Sequence, residues 1–139
     1  MKSPLRGEVW LVDLGMAAKV RPALAISVPA EDSDRALVTL VPHTTSPRQS
    51  RFEVAVSVPY LRVGVFDAQS LVTIPHAKLV RQLGKLMGAQ LSSVERAVCL
   101  WLGLQLRARG RNADRGRRRS GARMSRRGRS VAVGMDFVK

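Results

Sequence analysis

The sequence predicts a mainly β domain with one C-terminal helix, its strands forming a small, strongly bent antiparallel barrel on which the helix packs. Two observations carry this. Five or six short apolar segments follow one another, separated by polar or proline-containing turns. One stretch near residue 100 then switches to helical spacing, with Leu91, Val94, Val98, Trp101 and Leu102 on one face.

Taken in order, residues 8–14 (EVWLVDL) read as the first strand, with Trp10, Val12 and Leu14 on one face. Residues 15–20 (GMAAKV) are a loop. Residues 21–28 form a second strand whose near-continuous apolar run suits burial on both sides. A turn, PAEDSD, leads to a third strand at 35–45, where Pro42 lacks the N–H that a ladder needs, so pairing must stop or bulge there. After a polar loop at 46–51, residues 52–58 (FEVAVSV) alternate, with Phe52, Val54, Val56 and Val58 on one face. Residues 64–74 form a fifth strand or a bent pair, and 77–86 either a short helix or a sixth strand after a helical turn. The final helix covers 91–104, with Ser92 and Glu95 as a capping box and a start as early as Gly88. Trp10 and Trp101 read as core residues, Cys99 as a buried thiol and His76, after Pro75, as a turn residue.

Composition divides the chain. Of 139 residues, 45% are hydrophobic, enough for a core, and the net charge is +14, which suits an anionic partner. Residues 1–104 carry 12 Lys/Arg against 8 Asp/Glu, and residues 105–139 carry 12 against 2. The expected organisation is thus a barrel domain at 1–104 and an Arg-rich disordered extension at 105–139. The single cysteine, Cys99, excludes an intrachain disulfide, and His43 and His76 lie too far apart for a zinc spacing. No cofactor or metal is expected. The N-terminus lacks a signal-type apolar stretch and the longest apolar run, around 98–104, is too short to span a bilayer, so the chain reads as cytoplasmic without a membrane partner.

The chemistry concentrates in two stretches, RPALAIS from Arg21 and PHTTS from Pro42. From Arg21 to Thr44 there is room for a strand, a turn and a returning strand, so the two can lie side by side. A guanidinium beside a hydroxyl cluster is a means of gripping phosphate. Arg21 stays protonated and cannot be a base; Thr44, Thr45 and Ser46 donate hydrogen bonds but do not titrate near neutrality. His43 titrates in the right range for a base. Strand alternation turns His43 and Thr44 to opposite faces, so His43 has two readings, base or bystander. Asp67 is an alternative base, or else a partner for Arg81.

RGEVWLVDL, RPALAIS, VPHTTSPRQSRFEV, DAQSLVTI, LGKL and LWLGL, in that order across residues 6–104, resemble the MazF/PemK toxins of type II toxin–antitoxin modules. The resemblance implies an SH3-like barrel, usually a homodimer. It also implies an endoribonuclease that cuts single-stranded RNA, messenger RNA included, without metal. Attack by the RNA's 2′-hydroxyl would leave a 2′,3′-cyclic phosphate and a 5′-hydroxyl. The implied protein partner is a cognate antitoxin with an acidic, partly disordered segment. By this resemblance Arg21 matches the catalytic arginine and Thr44 the catalytic hydroxyl, with His43 as the neighbouring imidazole. Asp67 resembles an acidic residue that touches RNA in some members; Thr45, Ser46, Arg48 and Gln69 complete the expected substrate-binding set. Two departures stand out. The loop at 15–20 has no carboxylate where many members carry a glutamate, and Val65 stands where some carry an arginine. The same kind of barrel occurs in CcdB-like toxins that bind DNA gyrase without catalysis, so a non-catalytic interaction toxin and an inactive RNA-binding copy stay open as alternatives.

Overall fold

The computed structural model describes residues 3–15 and 19–105. Seven strands and one helix follow in order: β1 (Glu8–Gly15), β2 (Lys19–Ala25), β3 (Leu37–Thr44), β4 (Glu53–Ala55), β5 (Val65–Asp67), β6 (Val72–Pro75), β7 (Leu79–Lys85) and α1 (Gly88–Leu102). All recorded pairings are antiparallel, and the strand order is β4-β5-β3-β2-β1-β7, with β6 also paired to β3. The bent sheet falls short of closure among the described residues. The basic extension expected at 105–139 lies, apart from Gln105, outside the described residues.

β2 is buried on both faces from Ala23 to Ala25. Leu24 packs with Val9, Val41, Phe66 and the helix residues Val94 and Val98. Its neighbours Ala23 and Ala25 pack in a second cluster with Val12, Leu40, Ile74 and Leu79. Alternation along one strand thus feeds two cores. Trp10 and Leu14 join the second cluster beside Val12, as the β1 pattern predicts.

Pro42 marks where β3 changes partners. β3 pairs with β6 from Leu37 to Leu40 and with β5 only at His43 and Thr44, while Pro42 itself pairs with Ala23 of β2. A residue without an N–H suits the point between two ladders.

Four expectations need correction. The fourth strand is only Glu53–Ala55, although Phe52 and Val56 on either side are buried as the alternation predicts. The helix starts at Gly88 with Met87 as a cap that makes no side-chain bond, so Ser92 and Glu95 form no capping box; Glu95 instead pairs with Arg6. Trp101 is 42% exposed, touching the Phe52 ring edge-on at 5.3 Å, and Cys99 is only half-buried. The segment after residue 63 resolves into β5, a 3-10 turn at Ala68–Ser70 and β6, and the next into a 3-10 turn at His76–Lys78 before β7. His76 is buried there, its Nε2 3.1 Å from the Leu37 carbonyl.

Candidate RNA cleft

β2 and β3 place the arginine and the threonine together. Their recorded ladder ends at Ala23 opposite Pro42; two residues further along the same antiparallel course stand Arg21 and Thr44. Both line an open cleft of about 820 Å³, together with Ser46, Arg48, Ser50, Glu53, Asp67, Gln69, Ser70 and Lys78 and an apolar floor that includes Leu14, Val72 and Ile74.

Thr44 Oγ1 accepts the Ser46 N–H at 3.1 Å, which leaves its own proton to be donated elsewhere. Arg21 Nε is buried and has no partner among the described residues, so this guanidinium has unused donor capacity at the cleft. Asp67 is committed to its own turn: Oδ1 accepts from Gln69 N at 3.0 Å and Oδ2 from Ser70 Oγ at 2.9 Å. It makes no ion pair with Arg81; among the described residues the recorded ion pair is Arg6–Glu95.

His43 is not on the cleft wall. It is 3% exposed and packs edge-on against Phe66, its partner on β5, with ring centroids 5.0 Å apart. Burial first, and the Arg21 charge second, hold its pKa below the ordinary value. Its Nε2 has no partner among the described residues. Strand alternation explains the split: Thr44 faces the cleft and His43 the core. Of the expected binding residues, Ser46, Arg48, Asp67 and Gln69 line the cleft, whereas Thr45 is exposed and does not.

Sequence reading misses Glu53 and Lys78. Glu53 could be found as the residue off the apolar face of FEVAV; Lys78 is brought in by a 3-10 turn that the sequence leaves ambiguous. The Glu53 carboxylate accepts three consecutive backbone N–H groups, from Arg48 at 3.0 Å, Gln49 at 2.7 Å and Ser50 at 3.2 Å. These bonds, that of Arg48 foremost, hold its pKa below the ordinary value near 4.5, helped by the Arg48 charge and opposed by desolvation. Since the folded value is depressed, this contribution is fully present above about pH 4.5 and is lost as pH falls through the folded value. Arg48, on the loop, is the charged side chain that acts on this titration. The Arg48, Gln49 and Ser50 amide resonances are expected to shift together on acidification with a midpoint below 4.5. A midpoint at or above the ordinary value would contradict these bonds.

A bent β-sheet thus carries an arginine and a hydroxyl side by side in one open cleft. The family described as PemK-like, MazF-like toxin of type II toxin-antitoxin system matches residues 5–102, and the chain belongs to that family. Endoribonuclease MazF1 of Mycobacterium bovis is 33% identical over 104 residues, covering 75% of this chain and 97% of the relative. Endoribonuclease MazF4 of Mycobacterium tuberculosis is equally similar over the same length. Among solved structures, an endoribonuclease in complex with its cognate antitoxin from a mycobacterial species superposes with a TM-score of 0.64 at 29% identity, covering 77% of this chain and all of that one. A MazE–MazF structure from Deinococcus radiodurans, at 22% identity and TM-score 0.63 over 74% of this chain and 98% of that one, shares the fold.

Proposed function

We propose that this chain is the toxin of a type II toxin–antitoxin module and cuts single-stranded RNA by attack of the RNA's own 2′-hydroxyl, leaving a 2′,3′-cyclic phosphate and a 5′-hydroxyl. The observation that carries the reading is the Arg21/Thr44 pair on neighbouring strands of one cleft. As the 2′-hydroxyl gives up its proton and its oxygen bonds to phosphorus, the bond to the 5′-oxygen breaks, that oxygen takes up a proton to leave as a hydroxyl, and in between charge builds on the non-bridging oxygens. The guanidinium of Arg21 offers a planar fork to those oxygens, and the Thr44 hydroxyl, whose oxygen already accepts the Ser46 N–H, donates a hydrogen bond to them. Ser46, Arg48, Asp67 and Gln69 are the substrate-binding residues of this reading. A gyrase-binding protein has no use for such a grip.

The partners in this reading are single-stranded RNA, a cognate antitoxin and a second copy of the chain, in the cytoplasm. The relatives named endoribonuclease and the mycobacterial complex with an antitoxin support it. The test is cleavage with chelator present. The chemistry asked of Arg21 and Thr44 needs no metal, and no group of three His, Cys, Asp or Glu among the described residues is placed to hold one. Purified protein is expected to cut single-stranded RNA at an undiminished rate in excess EDTA, with a cyclic phosphate on the upstream product. Loss of cutting in chelator, restored by magnesium, would overturn the metal-free mechanism.

A further inference from the structure

The β4–β5 register sets Glu53 directly opposite Asp67, and both carboxylates line the cleft. The adjoining pair, Val54 and Phe66, packs in the core, so the two acids share the outward face. Like charges directly opposed on neighbouring strands repel. Each is answered by donors from its own side of the cleft: Asp67 takes Gln69 N and Ser70 Oγ, and Glu53 takes the N–H groups of Arg48, Gln49 and Ser50. The Glu53 loop is bent to suit. Gln49 has φ 63°, a left-handed conformation that a non-glycine residue adopts only when held, and its N–H makes the shortest of the three bonds, at 2.7 Å. The same loop supplies Ser46, Arg48 and Ser50 to the cleft wall.

We propose that Glu53 is a positioning residue for the RNA strand: its carboxylate gathers three consecutive backbone N–H groups into a nest and so fixes the loop that presents Arg48 and Ser46 to the substrate. The inference rests on the endoribonuclease reading and deepens it. Arg21 and Thr44 stand on other strands and act on the scissile phosphate, so Glu53 sets how tightly RNA is held rather than how fast the bond breaks. The nest is best served by a carboxylate. Oε1 accepts all three N–H groups and Oε2 shares only that of Arg48, so a carboxamide keeps one usable oxygen but loses the charge that strengthens these bonds and turns its NH₂ against the Arg48 N–H, while an alanine leaves all three to water.

The test uses the full chain with Glu53→Ala and the near-isosteric Glu53→Gln, which carries the test if the alanine variant does not fold. Amide hydrogen exchange at Arg48, Gln49 and Ser50 is expected to accelerate by about tenfold or more, local opening no longer being opposed by the carboxylate. On a single-stranded RNA that the wild type cuts, KM is expected to rise about tenfold for Glu53→Ala and less for Glu53→Gln, with kcat within about twofold of wild type. Unchanged exchange would overturn the latch. Faster exchange with unchanged KM, or a loss confined to kcat, would overturn the positioning role. A wild-type protein that cuts no single-stranded RNA would sink the endoribonuclease reading instead, while the exchange rates would still decide whether Glu53 holds the loop.

Discussion

Arg21→Ala is expected to lower RNA cleavage about a hundredfold or more, roughly 3 kcal/mol of transition-state stabilisation, in line with loss of one preorganised donor. The protein should stay folded. Arg21 belongs to neither core cluster, and its Nε has no partner among the described residues, so truncation strands no buried group. Thr44→Ala should cost as much or somewhat less, since it removes one hydroxyl donor and leaves Ser46 N–H without its acceptor. Thr44→Ser, which keeps the hydroxyl, should recover most of that loss, whereas Arg21→Lys should recover little because an ammonium lacks the planar fork. If the two side chains act on one phosphate, the double variant will lose less than the product of the single losses. Initial rates on one RNA substrate, with thermal melts to confirm folding, decide the matter. Folded variants that both cut at the wild-type rate would place the chemistry elsewhere.

The parts of this fold legible in the sequence are those where a local pattern meets a complete partner surface. β1, β2 and β3 are placed in the right order because their apolar residues meet packed neighbours, although β2 runs Lys19–Ala25 rather than 21–28 and Val28 is exposed; that order alone brings Arg21 and Thr44 together. The same rules fail where the partner runs out. Helical spacing puts Trp101 and Leu102 on the face of Val94 and Val98, but periodicity does not say how far the surface beneath extends; Leu100, Trp101, Leu102 and Leu104 are all more than 40% exposed. The Ser92/Glu95 spacing fits a capping box at the wrong place, because Gly88, at φ 57°, lets the helix begin a turn earlier. His43 is attractive in sequence as an imidazole beside two threonines, yet one step along a strand is a change of face. For Glu53 the alternation of FEVAV shows only that it lies off the apolar face; its role is hidden because that role depends on three backbone N–H groups of a loop whose shape no side-chain pattern specifies.

Gly64→Ala is expected to be the most damaging of the small substitutions, and to damage stability and activity together. A Cβ at Gly64 would overlap the Thr44 carbonyl oxygen, approach the Thr44 carbonyl carbon to 3.0 Å and meet His43 Cε1 at 2.8 Å. The first two obstacles are backbone, so no rotamer change relieves them, and the third is a core side chain wedged against Phe66. Overpacking of this kind costs about 1–3 kcal/mol or more. For a domain of this size roughly 2 kcal/mol corresponds to a fall in Tm of about 8–16 °C. The strain has one outlet: β5 must move away from the end of β3, where Val65 pairs with Thr44. That displaces the very residue whose hydroxyl faces the cleft, so kcat should fall beyond what reduced folding explains. Gly84→Ala supplies the comparison. There the added Cβ would strike the Tyr60 ring, a side chain that can swing aside at the expense of its 3.0 Å bond to the Lys85 carbonyl, and neither Gly84 nor Tyr60 lines the cleft. It should lower Tm with little change in kcat. A Gly64→Ala protein with wild-type melting and turnover would show that the approach of Gly64 to the end of β3 does not hold Thr44 in place.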